Sequence, residues 1–144
     1  MKESKDDLNV TLLEWEPKYS VQNAEIDRQH QAWFALISGV HKAFLNGAGK
    51  RILRTVLAET TQYTFRHFAH EEELMYEIDS PDRQQHILEH QQLAKRAREF
   101  ADRFESGQNA TTLEYLVFLA DWVKDHTMTT DRELGQYLLM HSTD

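Results

Sequence analysis

Four stretches of this chain repeat apolar side chains at three- and four-residue intervals for roughly 25 residues each, with only short breaks between them. The first carries Ile26, His30, Trp33, Phe34, Ile37, His41 and Phe44, and stops at Asn46-Gly47-Ala48-Gly49. The second runs from Lys50 through Leu53, Val56, Leu57, Thr60, His67, Phe68, Glu71, Leu74 and Ile78. Ser80-Pro81-Asp82 supplies a cap residue, a proline for the first helical position and an acid for the first turn of the third. Its stripe is His86, His90, Leu93, Ala97, Phe100 and Phe104, ending at Ser106-Gly107. Thr111 and Glu114 form a capping box for the fourth, which lists Leu116, Val123, His126, Thr130, Leu134 and Leu138. Long helices joined by short loops pack antiparallel to their neighbours. The spacing therefore predicts an all-α, up-down-up-down four-helix bundle over 21–141, preceded by a non-helical arm over 1–20 that includes Trp15 and Pro17.

Composition narrows the class further. A chain of 144 residues is one domain, and 5 Gly with 2 Pro leave too little turn material for an all-β sandwich. The absence of Cys removes disulfides, thiolate metal sites and a Cys nucleophile. A net charge of -8 argues against phosphate backbones and anionic lipid as partners. No apolar run is longer than that from Tyr115 to Ala120, which is too short to cross a bilayer. The opening MKESKDDLNV has no apolar core and does not read as a signal peptide, so a reduced, cytoplasmic location is expected.

The chemistry lies in the polar residues on the apolar stripes. His67 with Glu71, and His86 with His90, are i,i+4 pairs that each project two metal-competent groups from one helix face. With alternating helix directions, His30, His67, Glu71, His86, His90, His126 and Asp131 all fall within about four turns of the same bundle end. Burying that many ionisable groups unpaired would cost several kcal/mol apiece, which a metal cluster avoids. Five imidazoles and two carboxylates are too many for one ion and suit two octahedral ones. Imidazole is compatible with Zn, Cu, Fe and Ni, whereas bridging carboxylates suit an iron pair. The Glu-x-x-His pairs of the usual iron-carboxylate bundle do not occur here.

These residues carry a family likeness. Trp15 is followed by Ile26-Asp27-Arg28-Gln29-His30, then His67-Phe68-Ala69-His70-Glu71-Glu72-Glu73-Leu74-Met75, His86-x-x-x-His90 and Trp122-x-x-x-His126-x-x-x-x-Asp131. In that order, and over nearly the whole chain, the pattern resembles the single-domain bacterial hemerythrins, the bacteriohemerythrin family. The resemblance implies two non-haem iron ions (Fe2+/Fe3+) with an oxo or hydroxo bridge. One would be held by His86, His90 and His126, the other by His30 and His67, with Glu71 and Asp131 bridging. The two-histidine iron would keep an open position for dioxygen, walled by Phe68, Trp122, Val123 and the residue after His126. That residue is Thr127, where the family usually has a bulky aliphatic side chain. The implied function is reversible dioxygen binding for storage, delivery or sensing, with an oxygen-consuming enzyme or signalling protein as the unidentified partner. No acid–base pair is visible beyond the cluster, so the chain reads as a binding protein and not an enzyme. A di-iron oxidase or peroxidase, or a sensor module acting through a partner, is the rival reading.

Other features take plainer readings. His126 and Asp131 are five apart, which a regular helix would splay by roughly 140°. The intervening Thr127-Met128-Thr129-Thr130 is rich in β-branched hydroxyl residues, so a local widening or kink is expected there. His70 and His141 are expected at the surface, Glu72 and Glu73 as exposed charge, His41 as a packed histidine remote from the cluster, and Asp27 as a helix-start carboxylate. Trp15, Trp33 and Trp122 are core or boundary aromatics by default. His86-Ile87-Leu88-Glu89-His90 matches the inverted zinc-peptidase pattern with Glu89 as base. That reading leaves His30, His67, Glu71, His126 and Asp131 without a reason.

Overall fold

The computed structural model describes residues 12–107 and 111–141. Helices α1 (Ala24–Leu45), α2 (Lys50–Glu77) and α3 (Arg83–Glu105) are followed by α4 (Thr111–His126), a π-helical segment (Thr127–Asp131) and α5 (Arg132–Met140). The last three form one continuous rod, so the described residues make a four-rod helical bundle, as the periodicity predicts. Each rod packs against its neighbours in sequence, and the fourth closes back on α1. Asn23 caps α1, its side chain accepting from the Ile26 N–H at 3.0 Å. Gly47 and Gly107, with φ of 77° and 93°, turn the chain after α1 and α3 in the left-handed region open to glycine.

One helix start differs from expectation. α3 begins at Arg83, and Ser80-Pro81-Asp82 form the turn before it. Asp82 is the cap residue, but its carboxylate makes no capping bond. It accepts instead from the Tyr137 hydroxyl at 2.9 Å, so a tertiary contact with α5 has displaced the local one. The Thr111 side chain, and with it the expected capping box with Glu114, lies outside what is described, as does the start of the arm.

The fourth rod widens where the five-residue spacing demands it. A π turn bonds residue i to i+5, which brings His126 and Asp131 onto the same face. Thr129 donates its hydroxyl back to the Asp125 carbonyl at 2.8 Å, whereas the Thr130 hydroxyl leaves the helix for the Glu89 carboxylate at 2.7 Å.

Apolar side chains fill the bundle above and below a polar layer. Val21, Ile26, Met75 and Leu134 close one end. Trp33, Phe34, Ile37, Phe68, Leu93, Leu119 and Val123 form the middle, and Leu53, Phe100 and Phe104 the far end. The cluster residues interrupt this apolar order between the first two groups on three of the rods: His30 between Ile26 and Trp33, Glu71 between Phe68 and Met75, Asp131 between Val123 and Leu134. The polar layer is thus sealed from water on both sides.

The described part of the arm, residues 12–20, is docked and contains a 3-10 turn, Pro17–Tyr19, within the expected non-helical segment. Leu13, Tyr19 and Val21 are buried, and the Tyr19 ring meets Phe34 edge-on at 5.3 Å. Asp27 holds the arm's end, accepting from the Ser20 hydroxyl at 2.6 Å and the Val21 N–H at 2.8 Å. Arg132 of α5 also bonds the Lys18 carbonyl.

Where the arm crosses α5, a Cβ on Gly135 would lie 2.1 Å from the Val21 carbonyl oxygen. Only glycine allows that approach. Gly39, in α1, has nothing within 4 Å of its would-be Cβ. Gly135→Ala should therefore destabilise the fold by about 1–3 kcal/mol through a forced backbone shift, and lower the thermal midpoint. Gly39→Ala should raise it by roughly 1–4 °C, through the smaller conformational entropy of the unfolded chain. Thermal melts of the two variants, followed by circular dichroism, check the opposite signs.

Candidate metal centre

α1 presents His30, α2 presents His67 and Glu71, α3 presents His86 and His90, and the fourth rod presents His126 and Asp131. All seven are buried at 2% exposure or less. Their donor atoms gather into two overlapping groups, Glu71, His86, His90, His126 and Asp131 in one, and His30, His67, Glu71 and Asp131 in the other, each within 4.8 Å. The structure thus brings together every residue the sequence nominated for the cluster.

The two carboxylates are shared in a specific way. Glu71 Oε1 lies 3.2 Å from His90 Nε2 and 3.5 Å from His86 Nε2, and Asp131 Oδ1 lies 2.9 Å from His86 and 3.0 Å from His126. The other oxygen of each carboxylate turns to the remaining pair. Glu71 Oε2 is 3.1 Å from His67 and 3.5 Å from His30, and Asp131 Oδ2 is 3.0 Å from His30. Each carboxylate therefore spans a three-histidine half and a two-histidine half. None of the five Nε2 atoms or four carboxylate oxygens has a properly aligned hydrogen-bond partner, although all are buried. Separations near 3 Å are also close to the edge of an octahedron with ~2.1 Å bonds. Orphaned donors at that spacing, all nitrogen and oxygen, fit divalent metal ions. The first half offers five protein donors and the second four.

Three of the opposite ring nitrogens are held from outside the cluster. His67 Nδ1 pairs with Gln29 Oε1 at 2.7 Å, His90 Nδ1 with Glu72 at 2.9 Å and His126 Nδ1 with Glu89 at 2.8 Å. A proton on Nδ1 leaves Nε2 free as the ligand atom. Glu72 is thus not the exposed charge expected of it; it is half-buried against His90. Glu89 is bonded to His126 and Thr130, and His86 and His90 belong to the seven-residue cluster, which removes the basis of the peptidase reading. Each of Gln29, Glu72 and Glu89 directly adjoins a cluster residue in sequence. One helical step of about 100° carries such a side chain off the cluster face toward a neighbouring helix, a signal the inward stripes do not contain.

Aromatic rings back the imidazoles. Phe68 stacks on His90 with centroids 3.7 Å apart and planes within 5°, and Trp122 stacks on His126 at 4.4 Å. Trp33 lies 5.1 Å from His67 and 6.2 Å from His30, and donates its indole N–H to Thr64 at 2.7 Å. Val123 and Thr127 are fully buried, and the Thr127 hydroxyl has no hydrogen-bond partner. His70 stands outside the cluster but is half-buried, contrary to the surface expectation, with Nδ1 covered and unpaired. His41 is buried away from the cluster and His141 is exposed, as expected.

Charge within the layer is mutually dependent. Burial alone would lower the His30, His86 and His126 pKa values. Contacts with Asp131 and Glu71 outweigh it and raise them to about 9, about 10 and about 9. Burial works against ionisation of Glu71 and Asp131, yet the surrounding imidazoles hold both well below the usual carboxylate range. The hydrogen bond from His126, helped by Thr130, brings Glu89 down to about 2. In metal-free protein the raised histidines stabilise the fold fully below their unfolded pKa of ~6.5, and that contribution is lost as pH rises to 9–10. Metal binding must displace the same protons and strengthens over the same window. The thermal midpoint of metal-free protein should fall between pH 6.5 and 9.5 while the gap to metal-loaded protein widens. Scanning calorimetry of both forms across that range checks the sign. His70→Ala should leave the metal-loaded midpoint nearly unchanged.

Comparison with known proteins agrees with this geometry. Proteins named bacteriohemerythrin from Stenotrophomonas maltophilia (strain R551-3) and Pseudomonas aeruginosa (strain LESB58) are each 28% identical to the chain. The first match spans 132 residues, 92% of this chain and 85% of the relative; the second spans 119 residues, 83% and 76%. A third bacteriohemerythrin, from Clostridium acetobutylicum, is 24% identical over 127 residues, 85% of this chain and 98% of its own length. A crystal structure of a leucine-to-phenylalanine mutant shares the fold with a TM-score of 0.83 at 22% identity, covering 90% of this chain and 98% of that one. The model of the hemerythrin HHE cation-binding domain matches residues 22–138, a span that contains all seven cluster residues. The chain belongs to the hemerythrin HHE cation-binding domain family.

Proposed function

We propose that this protein binds dioxygen reversibly at a non-haem di-iron centre, for storage, delivery or sensing, and is not an enzyme. The reading treats 1–144 as a single domain, with an arm over 1–20 and a bundle over 21–141. The observation that carries it is the split of Glu71 and Asp131 between a three-histidine and a two-histidine half, which leaves the second half one protein donor short. A donor set of imidazole and bridging carboxylate without thiolate supports iron, and the relatives' printed name, bacteriohemerythrin, supports the same reading. His86, His90 and His126 would hold one ion, His30 and His67 the other, and Glu71 and Asp131 both, with an oxo or hydroxo bridge. Two ferrous ions would supply the electrons that dioxygen takes up on binding and returns on release.

The protein's own part is to hold, orient and keep dry. Gln29, Glu72 and Glu89 fix the imidazoles through Nδ1, and Phe68 and Trp122 brace two of the rings. Together with Val123, these aromatics form the apolar wall that excludes water from the layer. Thr127 departs from that chemistry. Its buried hydroxyl, unpaired at the start of the π segment, is free to donate to a small polar ligand or to admit a water.

Anaerobic loading with ferrous iron should give two irons per chain, and repeated oxygenation and deoxygenation should return the same optical spectra. Uptake of one zinc per chain without iron, or oxygen consumption with irreversible bleaching, overturns the reading; the latter favours an oxidase. Thr127→Val keeps the side-chain shape and removes the hydroxyl. It should slow loss of the oxygenated spectrum by up to about tenfold, equivalent to ~1.4 kcal/mol in barrier. An unchanged rate gives the hydroxyl no part in the chemistry.

A further inference from the structure

The two halves of the cluster differ in what stands behind their imidazoles. In the three-histidine half, His90 and His126 each have a carboxylate on Nδ1, Glu72 at 2.9 Å and Glu89 at 2.8 Å. In the two-histidine half, His67 has only the neutral amide of Gln29, and His30 Nδ1 is buried with no partner at all. Glu71 and Asp131 are common to both halves and cancel from the comparison. We infer that Glu72 and Glu89 set an order of metal loading, in which the three-histidine half fills first and tightly and the Gln29-backed half second and more weakly.

Two effects act in the same direction. A carboxylate accepting from Nδ1–H pushes electron density toward Nε2 and makes it a stronger donor to a cation. It also adds a negative charge one ring away from that cation. An amide does the first weakly and the second not at all. The three-histidine half has one more protein donor as well, so ligand count and backing charge agree. Backing carboxylates of this kind typically change metal affinity by ~10–100-fold. The half with fewer donors and neutral backing is therefore the one that exchanges its ion. Gln29, Glu72 and Glu89 are positioning residues, acting through the histidines they hold.

The inference rests on the metal reading but not on oxygen chemistry, so a redox-silent ion tests it. Metal-free protein is titrated with Zn2+ alone. The five cluster histidines are followed individually by side-chain 1H–15N NMR, and the two affinities are taken from calorimetry. At one equivalent the His86, His90 and His126 signals should have moved, with His30 and His67 following only toward the second. Glu89→Gln should weaken the first step by about tenfold or more and narrow the gap between the steps. Gln29→Glu should tighten the second and narrow the gap from the other side. All five histidines moving together, or His30 and His67 moving first, overturns the order. A Glu89→Gln variant that melts earlier without altering either affinity reduces Glu89 to a structural role and also overturns it. Absence of Zn2+ uptake overturns the metal reading itself, and loading order falls with it.

Discussion

Two carboxylates sit between apolar layers near one end of this bundle, out of reach of bulk solvent, and the rest of the molecule is arranged around that fact. Glu71 and Asp131 are completely buried, and among the described residues five imidazoles surround them and answer their charge. An isolated carboxylate in such a place would protonate or force the helices apart. Shared between two histidine groups, each oxygen has its own set of neighbours. The apolar plates on either side, Ile26, Met75 and Leu134 on one and Trp33, Phe68 and Leu93 on the other, exclude solvent that would weaken the interaction. The backbone yields to the same requirement: the fourth rod adopts a π turn so that Asp131 can share a face with His126.

That arrangement makes the centre and the fold interdependent. Each rod contributes at least one member, so the cluster fastens all four together near one end, while Leu53, Phe100 and Phe104, with Phe44 and Tyr115 packed against them, do the same work at the other. The docked arm completes the sealed end through Asp27, Gly135 and Arg132. Gly135 shows how close the tolerance is, since a single methyl group would collide with the arm's backbone.

The inward stripes were readable because helical periodicity is a local property. His30, His67, Glu71, His86, His90 and His126 fall at positions where a bundle places apolar side chains, and helix direction alone brings them, with Asp131, to one level. The five-residue interval before Asp131 announced the widened turn for the same reason. The supporting residues were not readable in that way. Glu72 resembles the two acids beside it, and nothing along α2 distinguishes it from Glu73. Only the approach of α3 brings His90 Nδ1 to it. Asp82, read as an acid for the first turn, is instead the cap residue, and its carboxylate accepts from Tyr137, 55 residues away.

The sequence by itself determined the number of helical rods, the face each buries, the identity of the cluster and the place where a helix must widen. All of these follow from residue type and spacing along one rod. Tertiary structure decided which carboxylate oxygen faces which imidazole, what stands behind each ring, how the arm is held and that the Thr127 hydroxyl is left without a partner. Those depend on angles and separations between rods, to within a few tenths of an ångström. Side-chain packing sets these, and no periodicity encodes them.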